Sequence, residues 1–189
     1  MTQADPHINS YEYFWIRLAT KQDKKQIIQV QLKSLQVIAA RDYSPRELKA
    51  LLQSKQSPRN RFETIYVAEI GEQIVGFVAL DKITNHLVGL FVDPEYTRIG
   101  IGSKLLETVE AEARHAGIRT LWVYSSLTAY RFYQAHKYQE MSKVELCVEG
   151  VAIPCIRFRK TLVHSPKSDR RVWLSLVLIV AIACILSVF

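Results

Sequence analysis

The sequence predicts a mixed α/β (α+β) domain over residues 13–162, joined by a basic linker to one C-terminal transmembrane helix. Three observations predict it. Short apolar runs bounded by turn residues are interspersed with stretches whose apolar residues recur at helical period. One apolar strand, Leu87 to Val92, runs through Asp93-Pro94 and a short turn into Gly100-Ile101-Gly102, then directly into a helical pattern. The last eighteen residues, Val172 to Phe189, carry no charge.

The elements follow in order. Residues 1–12 are polar and are expected to be a flexible N-terminus; Met1 to Ser10 lacks the apolar core of a signal peptide. Tyr13 to Ala19 reads as a first strand. Thr20-x-x-Asp23 then caps a helix with Ile27, Ile28, Val30, Leu32 and Leu35. Ser44-Pro45-Arg46-Glu47 starts a second helix: serine as N-cap, proline in the first turn, and glutamate reaching back from three residues on. That helix carries Leu48, Leu51 and Leu52, and the polar Gln53 to Arg61 reads as a loop. Glu63 to Ile70 and Gln73 to Leu80 alternate around Gly71-Glu72 as a hairpin. After the strand ending at Val92 comes a helix with Ile101, Leu105, Leu106, Val109 and Ala113, closed by Gly117. Thr120 to Ser126 reads as a strand and Thr128 to His136 as a short helix. Tyr138 to Val148 and Val151 to Arg159 form a last hairpin around Glu149-Gly150, with Pro154 marking exposure on one side.

The turn before the long helix carries the chemistry. A strand that feeds a glycine-bearing turn at a helix N-terminus points several free backbone N–H groups at one spot, where an anionic group can sit. Glycine suits such a turn because a Cβ would hold the backbone off the ligand and resist unusual φ/ψ values. An ordinary strand–helix turn also uses glycine, so Gly-x-Gly alone does not decide between the two. Downstream lies a second motif, Ala129-x-x-Phe132-Tyr133-x-x-x-x-Tyr138. Together, Val92-Asp93-Pro94, Gly100-x-Gly102 and this second motif resemble the GNAT superfamily of N-acetyltransferases, over roughly Tyr13 to Thr161. Two positions depart from the family pattern. Thr97 stands where the turn usually has Gln or Arg, with Arg98 one place later, and Lys137-Tyr138 replaces the usual Gly-Phe.

The resemblance implies a central mixed sheet whose parallel pair splays apart, flanking helices, and acetyl-coenzyme A as co-substrate. Carried onto this chain, Leu90, Phe91 and Val92 would contact the pantetheine arm through their backbone. The N–H groups of Arg98, Ile99, Gly100, Ile101, Gly102 and Ser103 would hold the diphosphate, with Arg98 and Lys104 as candidate side-chain contacts or plain surface charges. Tyr133 is the candidate catalytic acid, since a phenol with an ordinary pKa near ~10 can protonate a leaving thiolate. Packing alone is the other reading of Tyr133. Ser126, at the family's Asn position, either touches the pantetheine or caps its helix. No base announces itself; Glu69, Asp81 and His86 border the expected gap, and Arg41-Asp42-Tyr43 either lines the acceptor pocket or forms a polar turn.

The leading reading is a membrane-tethered N-acetyltransferase that acetylates a primary amine of a small molecule, with a protein amine less favoured. The alternative is a non-catalytic coenzyme A-binding sensor or interaction module. Composition narrows the field. The net charge is +7, of which +2 belongs to Lys167, Arg170 and Arg171 against Asp169 in the linker. A basic domain suits a polyanionic nucleotide, and without helix-turn-helix, zinc-ligand or aromatic–basic patterns nucleic acid is not expected as a partner. Cys147, Cys155 and Cys184 lack metal-ligand spacing and read as small buried residues, so no metal is expected. Oligomeric state leaves no mark in the sequence.

The tail reads separately. As a helix, Val172 to Phe189 spans about 27 Å at roughly 1.5 Å per residue, close to a hydrocarbon core of about 30 Å. It is apolar on every face, unlike a surface helix. A buried core helix is the competing reading. Lys167, Arg170 and Arg171 on its N-terminal side and Trp173 at the boundary fit a single-pass C-terminal anchor with the catalytic domain in the cytoplasm. Residues 163–171 are the expected linker.

Overall fold

The computed structural model describes residues 14–54 and 63–162. The expected flexible N-terminus at 1–12, the tail at 172–189, its linker at 163–171, most of the 53–61 loop and Cys184 lie outside the described residues. Among those described, no helix is long and apolar enough to cross a membrane.

Among the described residues, seven strands and four α-helices follow in the order the hydrophobic pattern predicts. They are β1 (Trp15–Leu18), α1 (Lys24–Val37), α2 (Pro45–Ser54), β2 (Glu63–Ile70), β3 (Gln73–Asp81) and β4 (His86–Val92), then α3 (Ile101–His115), β5 (Thr120–Ser125), α4 (Tyr130–Ala135), β6 (Gln139–Val148) and β7 (Val151–Thr161). The strands form one sheet in the order β1-β2-β3-β4-β5-β7-β6. Every neighbouring pair is antiparallel except β4–β5, which the α3 crossover makes parallel.

Helices cover both faces. On one, Leu105, Leu106, Val109 and Ala113 of α3 bury against Val75, Val78, Leu80, Leu121, Val123 and Phe158. A Cβ on Gly76 would stand 3.1 Å from the Ile101 and Leu105 side chains, so the missing side chain lets α3 lie close on β3. On the other face α1 packs Ile27 and Val30 on Val67, Ile74 and Phe77, while Leu35, Tyr43 and Ala50 cover Ile153 and Cys155.

Local signals explain the element ends. Ser44 and Glu47 form the expected reciprocal cap: Ser44 N–H donates to Glu47 Oε2 at 2.7 Å, and Glu47 N–H to Ser44 Oγ at 3.3 Å. Asp23 accepts from Thr20 N–H at 2.6 Å, but it caps a 3₁₀ turn at Lys21–Asp23 that leads into α1. The β6–β7 hairpin closes on Glu149 and Gly150 at φ 50° and 72°, the doubly left-handed turn that matches strand twist.

Some expectations shift. The α4 helix is shorter than 128–136 and β7 runs on to Thr161. Pro154 lies in an interior strand, yet β5 pairs with β7 only from Ile156 onward. No strand flanks Pro154 opposite β6, and its carbonyl there accepts from Tyr43 Oη at 3.0 Å. Cys147 is exposed where burial was expected, because β6 is an edge strand with alternate residues turned to solvent; Cys155 is buried.

Candidate active site

The parallel strands β4 and β5 pair at two positions only, His86↔Trp122 and Leu87↔Val123, and then diverge. The register explains the divergence. Ala79 faces Gly89 while Leu80 faces Leu87, so Val88 is an extra residue in β4 immediately past the last β4–β5 pair. Such a bulge bends its strand and sharpens the local twist, which draws β4 off its parallel neighbour.

Peptide direction along the gap follows from one hydrogen bond. Asp93 N–H donates to Val75 O at 2.8 Å, so Asp93 turns its peptide toward β3. By antiparallel alternation Phe91 does the same, while Leu90 and Val92 turn theirs away, toward the gap. Phe91 therefore corrects the expectation of three backbone contacts. Its peptide is engaged with β3, and its ring stacks on Phe77 with centroids 5.4 Å apart.

Past Val92 the chain makes a 3₁₀ turn at Pro94–Tyr96, held by the Asp93 carboxylate. That carboxylate accepts from Glu95 N–H at 3.2 Å and from Lys33 Nζ of α1 at 2.9 Å. Arg98 and Gly100 then adopt left-handed φ of 68° and 90°. The glycine takes this without cost, whereas the arginine gives up roughly 1–2 kcal/mol. Among the described residues, the N–H groups of Arg98 through Ser103 have no acceptor, and Lys104 N–H is the first to close the helix, onto Gly100 O at 3.0 Å. Arg98, Ile99 and Gly100 are exposed, while Ile101 is buried and anchors the turn. Six unpaired amides at the positive end of a fifteen-residue helix have the electrostatics to receive an anion. A Cβ at Gly102 would touch the Phe132 ring at 3.4 Å, so α4 lies directly over the first turn of α3.

Tyr133 sits in α4 within a cluster of rings, with centroids 5.3 Å from Phe132, 5.3 Å from Tyr138 and 5.9 Å from Phe158. It is buried, and that burial pushes its hydroxyl well above the usual tyrosine range. Among the described residues its hydroxyl has no hydrogen-bond partner. Ser126 accepts at Oγ from Ala129 N–H at 3.3 Å and so caps the approach to α4. Lys104 pairs with Glu107 at 3.3 Å, whereas Arg98 has no carboxylate partner among the described residues.

The candidate bases fare differently from expectation. Glu69 is paired with Arg17 and faces β1, at the far side of the sheet from the gap. Asp81 is buried, which raises a carboxyl pKa, but the Ile83 and Thr84 N–H groups outweigh this and hold it low. Both groups are thereby committed to structure. His86 stacks on Tyr124 with centroids 5.5 Å apart, and its Nδ1 lies 2.8 Å from Thr84 O. Arg41-Asp42-Tyr43 is no simple polar turn. Tyr43 Oη also accepts from Leu127 N–H at 3.3 Å, and Thr128 Oγ1 donates to Asp42 at 2.6 Å, which fastens the α1–α2 connection to the β5–α4 loop.

Sequence reasoning missed Trp122 and Arg157. The Arg157 guanidinium carbon lies over the Trp122 ring, 5.3 Å from its centre, on the sheet face opposite α3, where Tyr124 also stands. Alternation within each strand could have placed them on one face, but their neighbourhood needed the β5–β7 register. Among the described residues no group of three or more His, Cys, Asp or Glu side chains is placed to hold a metal ion.

Comparison with known proteins agrees with this geometry. Residues 39–162 match the acetyltransferase (GNAT) domain family. The chain is 30% identical over 132 residues to an uncharacterized N-acetyltransferase, YafP, of Escherichia coli K12, covering 68% of this chain and 83% of that protein. It is 35% identical over 95 residues to an amino-acid acetyltransferase of Pseudomonas putida GB-1, of which it spans 22%. Among solved structures, a GCN5-related N-acetyltransferase from Rhodopseudomonas palustris superposes with a TM-score of 0.74 at 21% identity, covering 78% of this chain and 95% of that one. The PaiA N-acetyltransferase of Thermoplasma acidophilum, solved with coenzyme A, gives a TM-score of 0.59 at 22% identity, covering 79% and 99%.

Proposed function

This chain belongs to the GNAT acetyltransferase family as an acetyl-CoA-dependent N-acetyltransferase, and we propose that it acetylates the primary amine of a small molecule while tethered to a membrane. The observation that carries the site assignment is the row of unpaired amides from Arg98 to Ser103 at the mouth of the β4–β5 gap. A diphosphate has the charge and the acceptor oxygens those donors lack. Leu90 and Val92, with peptides turned into the gap, suit an extended pantetheine arm; Phe91 does not.

Acetyl-CoA supplies an acyl group on a thioester, whose leaving group is a thiolate. The amine nitrogen forms the new C–N bond, the C–S bond breaks, and the amine gives up its proton to water, which returns one to the Tyr133 phenol after it has served the leaving sulfur. In this reading the Leu90 N–H polarises the carbonyl as negative charge grows on its oxygen, without reorganisation. Tyr133, kept protonated by burial, gives its proton to the departing sulfur. No described carboxylate or imidazole is assigned as base.

The clamp of Tyr43 and Asp42 on the β5–α4 loop supports a small acceptor, since it closes the approach from the α1–α2 side. The tether rests on the apolar run at 172–189. A cavity of about 420 Å³ lined by Arg114, Lys137, Arg159 and Lys160, beside Thr161 next to the last described residue, supports it, because the lining stays net positive even with Arg114 and Lys160 on Glu110, which suits an anionic bilayer surface.

Two measurements test the proposal. Thiol release from acetyl-CoA should require an added small amine; release indifferent to every amine offered overturns the transfer. The full chain should float with anionic vesicles in a density gradient while a chain ended at Leu162 stays below. Equal flotation of the two removes the tether.

A further inference from the structure

Arg157 of β7 is the direct antiparallel partner of Tyr124 of β5, so their side chains share a face, and Trp122 shares it two residues before. The opposite face holds Leu121 and Val123 beneath α3. The guanidinium carbon stands 5.3 Å from the centre of the Trp122 ring, so the cation lies over the ring face. Its Nε is enclosed and has no acceptor among the described residues.

Several other cations of the domain are answered by carboxylates. Arg17 sits on Asp23 and Glu69, Lys33 on Asp93, Lys82 on Glu112, and both Arg114 and Lys160 on Glu110. Arg159, two residues along the same face, is occupied by Gln139 Oε1 at 3.3 Å. Arg157 has the geometry of a receptor for a planar anion and, among the described residues, no anion of its own. Nε itself is shut off from any ligand, but the two terminal nitrogens make no hydrogen bond among the described residues and are not enclosed, so they are the donors an anion can reach.

Its place in the sheet says which ligand. Leu87↔Val123 is the last pair between β4 and β5, so Tyr124 is the first β5 residue at the floor of the gap. Arg157 lies one strand further over, about 4.8 Å by ordinary strand spacing. An amine poised at the gap and an anion on Arg157 are therefore within reach of one small molecule. One partnerless guanidinium fork matches the single charge and paired oxygens of a carboxylate.

We infer that Arg157 is the specificity-determining residue for the acceptor, binding a carboxylate that the amine substrate carries, so that the acceptors are amino acids or related amino-carboxylates. The inference rests on the transferase reading above and adds the substrate class. Trp122 is the positioning residue, with the guanidinium over its ring face.

The test compares acceptors that differ only in the carboxylate. Leucine, phenylalanine and histidine are each assayed with the full chain against their amides and their decarboxylated amines. The acids should exceed both partners at least tenfold in kcat/KM. Arg157→Gln should raise KM for the acids by tenfold or more, with kcat and the KM for acetyl-CoA within twofold, and Arg157→Lys should recover part of the loss. The comparison of acids with amides needs no variant, so it stands even if Arg157→Gln folds poorly. Amides used as well as acids, bound acetyl-CoA with no acid acetylated, or a Gln variant that weakens every acceptor alike each overturn the assignment. Failure of acetyl-CoA to bind at all overturns instead the transferase reading beneath it.

Discussion

His136 Nε2 lies 3.0 Å from Ser103 Oγ, which ties the end of α4 to the first turn of α3. The other ring nitrogen, Nδ1, is 2.8 Å from the Phe132 carbonyl oxygen. A carbonyl only accepts, so in the neutral ring Nδ1 carries the proton and Nε2 receives the Ser103 hydroxyl. One side chain thus holds the amide row at the register of the tyrosine helix. His136→Ala is expected to raise the KM for acetyl-CoA roughly three- to tenfold, the scale of one neutral hydrogen bond of about 1 kcal/mol, with kcat little changed. Steady-state kinetics check this, and an unaltered KM dismisses the tie.

Tyr133→Phe keeps the ring contacts with Phe132, Tyr138 and Phe158 and removes only the proton donor. Turnover should fall by roughly 10- to 10³-fold, the usual worth of a general acid, while acetyl-CoA affinity measured by calorimetry holds. A turnover number equal to that of the unaltered chain would take the role away from this residue.

The pH profile carries a sign. The phenol donates only while protonated, and burial raises its pKa, so the donor form persists to more alkaline pH than an ordinary tyrosine. The acceptor amine must lose a proton, so kcat/KM should climb with pH and then stay level to about pH 10, the ordinary tyrosine value. A decline that begins below pH 9 and vanishes in Tyr133→Phe would mean that the buried phenol titrates normally.

Lys137 occupies a left-handed position at φ 63°, after α4, where the family pattern usually carries glycine. Its N–H donates to Gln134 O at 3.0 Å and the Tyr138 N–H to Tyr133 O at 3.0 Å, the double bond pattern of a glycine-type helix stop. Lys137→Gly should relieve the Cβ strain and stabilise by about 0.5–1 kcal/mol, or roughly 2–4 °C in Tm for a domain of this size. Thermal unfolding followed by circular dichroism decides it; a lower Tm contradicts the strain.

Tyr43→Phe deletes the hydroxyl that joins Pro154 O and Leu127 N–H. Burial raises the Tyr43 pKa to about 12, so the group is a neutral hydroxyl at every relevant pH. The loss should cost about 1–3 kcal/mol, the range for leaving buried partners unpaired. Chemical denaturation that gives an unchanged midpoint would show that the clamp adds nothing to stability.

Local chemistry was legible without coordinates. Alternation and helical period placed the seven described strands and four described α-helices to within a few residues, since each pattern reports a face that must be buried, but not the 3₁₀ turns between them. The Ser44–Glu47 cap and the paired turn glycines were likewise readable, because their hydrogen bonds join residues only a few positions apart. The Val92-to-Gly102 turn and the Ala129-to-Tyr138 stretch that holds Tyr133 could be picked out as candidates because each is a short contiguous motif.

What joins distant stretches was not legible. The residue identities do not reveal that Val88 is surplus in β4, or that Phe91 spends its peptide on β3 while Leu90 and Val92 do not. Those facts depend on register, set when β3 and β4 bury their apolar sides together. Nor do they reveal that Glu69 stands away from the gap on Arg17, that Tyr43 reaches Pro154, or that Arg157 meets Trp122 beside Tyr124. Residues as far apart as Tyr43 and Pro154, 111 positions, meet only once the sheet is assembled. The sequence alone determined which chemical groups this protein possesses and how each short segment folds. Tertiary structure decided which groups become neighbours, because long-range pairing is chosen by the burial of whole faces and not by any local pattern.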